Sequence, residues 1–265
     1  MHENTNIMHK NFLRLTLLLA MLLACLVMVQ AQQMQSWNSL NAKVSLADKW
    51  QLRAGHLRGY QADNQFRNHF NQTGLTVSYE AAKRLDLAAG ILLITPTGRD
   101  TRTRLFLRAT HTKRISRQLN WINTLRLETN SANEPRFRQR VMLGTRLATR
   151  KRLEFANVRP AIGYQLFYNI GGTPINYYND NKELLARQTP DGFHRGRLFL
   201  NLDFKVNDLL SIDVNYFNQQ EFNLLSGPTR RMNVPNQNGT RIQRPFRPFN
   251  MLGVALTVDV DELLK

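Results

Sequence analysis

The residues best suited to chemistry are arginines that recur at every second position in the middle of the chain. In the segment Asn123–Leu147, NTLRLETNSANEPRFRQRVMLGTRL, Arg136, Arg138 and Arg140 stand two residues apart, and Arg126 and Glu128 are spaced in the same way before them. A guanidinium group offers a planar fork of donors that matches the oxygens of carboxylates and phosphates. If one face of a structure collected these groups, that face would attract anions.

A period of two residues predicts the β-strands that would create such a face. Apolar residues alternate with polar ones in segments of about ten residues, which is typical of half-buried or membrane-facing strands. Eleven such segments have the following bounds: Leu40–Leu46, Trp50–Ala54, Thr73–Tyr79, Leu85–Leu93, Leu105–Ala109, Trp121–Leu127, Phe137–Leu147, Val158–Tyr168, Leu198–Val206, Leu210–Tyr216 and Leu252–Val260.

The opposite face of these segments is polar throughout and rich in arginine. The predicted ligand-contacting residues are those that would share this face: Arg104, Arg108, Arg126, Glu128, Arg136, Arg138, Arg140, Arg146, Arg195 and Arg197. The pattern fits two architectures. In a soluble β-protein the apolar face covers a core, whereas in a membrane barrel it faces lipid and the polar face lines a lumen.

The N-terminus predicts export. A basic stretch with Lys10 and Arg14 precedes the apolar run Leu15–Val29, and Val29 and Ala31 form a small-residue cleavage site. This arrangement is typical of a secretory signal peptide, so residues 1–31 are assigned to it and residues 32–265 to a single mature domain. A retained membrane anchor and lipidation of Cys25, within LLAC, stay open as alternatives.

Export changes the meaning of the net charge. The formal charge is +17, which in a cytoplasmic protein would suggest nucleic acid. In an exported chain no nucleic-acid partner is expected. The expected partners are outer-membrane lipid, lipopolysaccharide and small anionic solutes, together with the barrel-assembly machinery. The single cysteine excludes an intramolecular disulfide framework, and no metal ligands or cofactor motif are recognised.

The lengths of the connections favour the membrane barrel. Short turns (Ala47–Lys49, Ala81–Arg84, Ser116–Gln118, Thr149–Arg152, Asn207–Asp208) alternate with longer polar loops (Gly59–Arg67, Pro96–Asp100, Thr129–Pro135, Ile170–Gly192, Glu221–Arg247). Outer-membrane barrels show this asymmetry, and they have aromatic girdles at the strand ends. The prediction is an all-β, antiparallel, up-and-down transmembrane β-barrel of 10–12 strands, with twelve favoured because bacterial barrels have even numbers. The two longest loops are expected on the cell exterior.

Three stretches carry a family resemblance: Trp37–Leu40 (WNSL), Leu125–Glu128 (LRLE) and Arg136–Arg140 (RFRQR). With them the chain resembles the family catalogued as domain of unknown function 2490, over most of residues 34–260. The resemblance implies an outer-membrane barrel of Gram-negative bacteria with repeated R-x-E and R-x-R strands. That family has no established activity, so the resemblance implies no catalytic residues.

The function expected from these observations is that of an outer-membrane barrel, either a narrow channel with an anion-attracting lumen or a plugged structural barrel. In a wet lumen each ion pair would contribute only ~0–1 kcal/mol to stability. The alternative is a soluble periplasmic β-protein that binds lipid or another apolar ligand. An outer-membrane lipid-modifying enzyme is less favoured, because Ser45, Ser78 and Ser211 lack a nucleophile motif and no G-x-S-x-G is present, so no catalytic role is expected.

Overall fold

The computed structural model describes residues 33–62, 66–154 and 156–265, and eleven of its strands form one closed β-barrel. The barrel strands are β1 (Gln33–Ala47), β2 (Trp50–Gln61), β3 (Arg67–Ala82), β4 (Leu85–Pro96), β5 (Arg102–Arg114), β6 (Leu119–Asn130), β7 (Gln139–Thr149), β8 (Val158–Ile170), β11 (Gly192–Lys205), β12 (Leu210–Leu224) and β15 (Phe249–Asp259). Two short hairpins lie in the longest loops: β9 (Ile175–Tyr178) with β10 (Leu184–Gln188), and β13 (Val234–Pro235) with β14 (Ile242–Gln243). The predicted all-β barrel is confirmed.

Each barrel strand pairs with the next barrel strand along the chain, and every such pair is antiparallel. The eleven strands correspond one for one to the eleven alternating segments of the sequence. The signal-peptide prediction and Cys25 lie outside the described residues. Within the described ranges, no helix is long and apolar enough to cross a membrane.

The barrel closes between β1 and β15, and this seam is parallel. Lys43 forms an ion pair with Asp259 at 2.8 Å, and Ser45 N–H donates to Asp261 Oδ2 at 2.9 Å, so both strands advance in the same direction. The favoured even number of twelve strands is therefore not what the structure has. With eleven up-and-down strands the first and last run the same way, and a parallel pair can complete the ring.

The connections define two ends of the barrel. At the turn end the links are residues 48–49, 83–84, 115–118, 150–157 and 206–209. At the loop end they are residues 62–66, 97–101, 131–138, 171–191 and 225–248. The predicted alternation therefore holds in outline, although the β7–β8 link is longer than two of the loops.

Apolar side chains form a belt on the outer surface. Leu107, Leu127 and Leu143 are 61%, 46% and 47% exposed, and their neighbours along each strand point inward. A soluble fold buries such leucines, whereas a barrel in lipid exposes them. The inner surface is correspondingly polar, and it positions the candidate site.

Candidate functional site: the arginine-rich lumen

The structure places eight of the ten predicted residues on the inner face of the barrel. The register sets them opposite one another: Arg108 faces Arg126 across β5 and β6, and Glu128 faces Arg140 across β6 and β7. The remaining inner-face members are Arg104, Arg146, Arg195 and Arg197.

Arg136 and Arg138 are not lumen residues of a strand, contrary to the sequence prediction. Strand β7 begins only at Gln139. The Arg138 backbone still bonds to Asn130 and Ile170, but the Arg136 N–H donates to the side chain of Glu134 and not to a neighbouring strand. Phe137, predicted on the lipid face, is instead buried at 3% exposure beneath the loops. The period of two continues past the start of the strand, so the sequence alone places Phe137 on the wrong surface.

Glu128 is the centre of a buried charge cluster in the loop half of the lumen. Its carboxylate contacts Arg140 Nε at 2.7 Å and Arg126 Nε at 2.8 Å, and Arg104 Nε lies 3.7 Å away. The side chains of Glu128 and Arg140 are 2% and 7% exposed. The expectation of a wet, weakly coupled ion pair is therefore wrong for this cluster, because its two central groups are removed from solvent.

Aromatic rings in the lumen support these arginines. The guanidinium of Arg126 lies 3.8 Å from the ring centroid of Phe106. Phe106 can occupy that position because Gly90 faces it on β4, where an added Cβ would stand 2.5 Å from the ring. Arg140 lies over Phe137 at 4.7 Å and over Phe167 at 4.9 Å. Cation–π contacts of this kind stabilise a guanidinium without neutralising its charge.

A second cluster connects Arg195 with Arg197. Arg195 Nε donates to Glu221 Oε1 at 2.8 Å, and Gln219 donates to the same oxygen at 2.6 Å. Arg197 Nε donates to Gln219 Oε1 at 2.9 Å. In the part of the chain that the structure describes, no carboxylate lies within ion-pair distance of Arg197, whose only hydrogen bond is through Nε.

The terminal amines of Arg197 are therefore free donors within an aromatic frame. Its guanidinium lies 4.6 Å from the Phe217 ring, 5.1 Å from Phe167 and 5.9 Å from Trp37. Trp37, Phe217 and Gln219 are absent from the predicted site, because neutral or apolar side chains on a polar face give no signal in the sequence. Glu221 is absent because the sequence analysis assigns it to a loop, whereas β12 extends to Leu224. Only the strand register brings them to Arg197.

Charge is unbalanced in this half of the lumen. Among the strand residues of the inner face that the structure describes near the loop end, six guanidiniums (Arg102, Arg104, Arg126, Arg140, Arg195 and Arg197) accompany two carboxylates (Glu128 and Glu221), and Glu134 of the 131–138 loop pairs with Arg102. The turn half has more carboxylates: Asp203 binds Arg152 and Arg159 at 2.7–2.8 Å, Asp259 pairs with Lys43, and Asp86 and Asp213 lie near Arg108 and Arg53. The surplus of positive charge is thus concentrated towards the loops.

Three loops form a cap over this cluster, comprising residues 131–138, 171–191 and 225–248. Phe137, Met232 and Phe246 form the buried core of the cap. The Gln243 side chain joins the two hairpins by donating to Asn176 O at 2.7 Å, and Gln188 donates to Thr229 O at 2.6 Å. The cap is therefore a packed structure with hydrogen bonds between its loops.

Phe246 links the cap to the lumen. Its ring lies 5.2 Å from the Arg136 guanidinium and 5.0 Å from that of Arg195. Nearby, Tyr177 donates from its hydroxyl to Arg231 O at 3.1 Å, and burial raises the pKa of Tyr177 to about 12, so the phenol stays a donor at neutral pH. The loop end of the cationic lumen is therefore covered by protein.

Other candidate chemistry is not assembled in the described ranges. No group of three or more His, Cys, Asp or Glu side chains is placed there to hold a metal ion. Among the same residues, no serine hydroxyl hydrogen-bonds a histidine. His56 bonds to Thr73 on the outer face, and His194 is buried against Pro190 O.

Comparisons with known proteins concern the family and the fold. A family model described as "Protein of unknown function (DUF2490)" matches residues 34–226. Two solved structures resemble the chain. The NanC porin is 10% identical, and the match covers 84% of this chain and 98% of the porin chain with a TM-score of 0.45. OccK7 (OpdD) of Pseudomonas aeruginosa is 15% identical, and the match covers 70% of this chain and 53% of that chain with a TM-score of 0.33. No curated protein matches the chain.

Proposed function

The chain belongs to the DUF2490 family, and we propose that it is an outer-membrane barrel whose cationic lumen admits small anions. The observation that carries the proposal is Arg197, a lumen guanidinium with free terminal amines and no carboxylate partner among the described residues. An unpaired arginine in a low-dielectric passage attracts anions and repels cations. No catalysis is part of the proposal.

The two surfaces together support placement in the outer membrane. The outer surface exposes leucines along successive strands, while the inner surface buries charge. The soluble periplasmic alternative requires the leucine face to be a core, yet Leu105, Leu107 and Leu127 are half or nearly half exposed. Lipid contacts on this face, and lipopolysaccharide at the exposed loop arginines Arg230, Arg231 and Arg241, fit the same proposal.

The test is ion selectivity of the refolded barrel in a planar bilayer under a KCl gradient. The wild-type reversal potential is expected to have the sign of chloride preference, and Arg197→Gln should shift it towards zero. Arg159→Gln is the matched control, because Arg159 is half exposed and paired with Asp203 at the turn end. Preference for potassium in the wild type, or equal shifts in both variants, would refute the proposal.

A second candidate, a plugged structural barrel, is favoured by one observation: the packed cap over the loop end. It predicts no conductance for the wild type. Replacing Phe246 by alanine should then open the mouth, because the ring is the contact between the cap and Arg195. Conductance that appears only in this variant would favour the plugged barrel over the open channel.

A further inference from the structure

The outer surface of the barrel has a groove that the lumen proposal does not use. It spans β5 to β8, has a volume of about 490 Å³ and opens outward. Its floor contains a row of hydrogen-bonding side chains on the face that otherwise exposes leucine. The strand register places them side by side: His111 faces Asn123, Asn123 faces Thr145, and Thr145 faces Tyr164.

This polar row interrupts the apolar belt. On β6, Asn123 lies between Trp121 and Leu125, and on β7, Thr145 lies between Leu143 and Leu147. Hydrogen-bonding groups facing hydrocarbon are costly and rarely occur without a partner. Among the described residues, the side chains of His111, Asn123 and Tyr164 make no hydrogen bond, and Thr145 accepts one from Trp121 Nε1 at 2.6 Å.

An apolar row lies beside the polar row, on the side nearer the loops. Ala109 faces Leu125, Leu125 faces Leu143, and Leu143 faces Leu166. Leu125 and Leu143 are 43% and 47% exposed. The small side chain of Ala109 leaves space between larger neighbours, and Leu85 closes the groove at one edge. This row can receive an acyl chain.

The rim on the turn side is basic. The exposed cations there include Arg84, Lys113, Arg114 and Arg117. Lys113 faces Trp121 across the strand pair, one step below the polar row. Tryptophan at a strand end marks the headgroup level of the membrane, and Asn123 lies roughly 5 Å further in, given the rise of a tilted strand.

The order from the turn end is therefore cation, hydrogen-bonding group and hydrocarbon. We propose that the groove binds one anionic phospholipid from the leaflet at the turn end. Its phosphate lies at Lys113 and Arg84, its glycerol esters accept hydrogen bonds from His111 and Asn123, and one acyl chain lies along Leu125 and Leu143. This site rests on the membrane insertion proposed above, but it does not depend on whether the lumen conducts.

The experiment is native mass spectrometry of the folded barrel in detergent, titrated with phosphatidylglycerol or phosphatidylcholine. One phosphatidylglycerol should be retained in preference to phosphatidylcholine. Asn123→Leu combined with His111→Leu should weaken retention by roughly tenfold, as expected for two lost hydrogen bonds. Lys113→Gln should abolish the preference for the anionic lipid. Both changes preserve or increase the apolar character of the surface, so the barrel should fold.

Matched controls are available on a distant part of the ring. Asn38 is an exposed outward asparagine on β1, and Lys49 is an exposed turn-end lysine. Asn38→Leu and Lys49→Gln should leave phosphatidylglycerol retention unchanged.

Equal retention in all variants would mean a general lipid annulus and would overturn the site. A dimer without lipid would also overturn it, since the occupant would then be a second copy. Flotation with lipid vesicles separates the two proposals: a chain that fails to float refutes membrane insertion, whereas a floating chain without specific retention refutes only the groove.

Discussion

Replacing Glu128 by glutamine should destabilise the barrel while increasing its preference for anions. Glutamine keeps the shape of the side chain but removes the charge that Arg104, Arg126 and Arg140 share. Arg140 would keep its aromatic contacts with Phe137 and Phe167, but it would lose its only ion-pair partner among the described residues.

The magnitude follows from burial. Removing one partner of a buried ion pair costs about 3–5 kcal/mol, because the other charge is left uncompensated in a low dielectric. Glu128 and Arg140 fit that class at 2% and 7% exposure, whereas Arg104 and Arg126 are 15% and 17% exposed and are partly screened. We therefore expect the free energy of unfolding to fall by the lower end of this range, about 3 kcal/mol. It corresponds to a fall of roughly 1 M in the urea midpoint for a slope of about 2–3 kcal/mol per molar.

The assay is urea unfolding of the barrel in lipid vesicles, followed by tryptophan fluorescence and by heat-modifiable mobility. Glu262→Gln is the control of equal charge change, since Glu262 forms its ion pair with the exposed Lys265 at the turn end. An unchanged midpoint for Glu128→Gln would refute the buried cluster and restore the wet lumen expected from the sequence. A lower midpoint without any gain in chloride preference would refute the link between this cluster and ion passage.

Four further results are expected. Leu125→Arg should lower the free energy of unfolding in vesicles by ~2–4 kcal/mol, the cost of a lipid-facing charge, and so reduce the folded fraction; an unchanged folded fraction would refute the lipid face. Phe246→Ala should raise conductance and speed proteolysis of the cap in intact cells, and unchanged values would show that the ring does not anchor the cap. An epitope placed directly before Met34 should bind antibody on intact cells while one after Lys265 should not, because Met34 and Lys265 lie at opposite barrel ends; the reverse pattern would invert the topology. The Ser45 hydrogen bonds hold the pKa of Asp261 below its usual range. The stability that Asp261 adds to the seam is therefore complete above about pH 4, the pKa of an unfolded aspartate, and is lost as the pH falls through the lower pKa of the folded state. Asp261→Asn should remove part of the fall in stability below pH 4, measured by the urea midpoint at pH 7 and pH 3.

The period of two predicts both the strands and their faces, because each strand has one side against an apolar environment and one against a polar one. Leu125 and Leu127 face outward and Arg126 and Glu128 inward, as their alternation indicates. The same signal fails where the chain leaves the ladder. Arg136 and Phe137 continue the alternation, yet they belong to the cap, where loop packing and not the pleat decides their direction.

Burial within the lumen is the second property that the sequence does not reveal. Alternation identifies a residue as inward, but it does not say whether water reaches it. Glu128 and Asp203 both lie on the inner face, and their side chains are 2% and 14% exposed. The difference arises from Phe106, Phe137 and Phe167, which come from three separate parts of the chain and meet only when the barrel is closed and capped.

The number of strands depends on closure, which no local pattern encodes. Eleven alternating segments are visible in the sequence, and an even number is expected only if both chain ends lie on the same side of the barrel. Here β1 and β15 run in the same direction, and a parallel ladder is slightly less stable per residue than an antiparallel one. Side chains reinforce this seam: Lys43 binds Asp259, Asn41 donates to Leu256 O at 3.3 Å, and Asp261 accepts from Ser45 N–H. The acidic residues near the end of the chain thus have a structural role, because they secure the one strand pair that hairpin connectivity does not bring together.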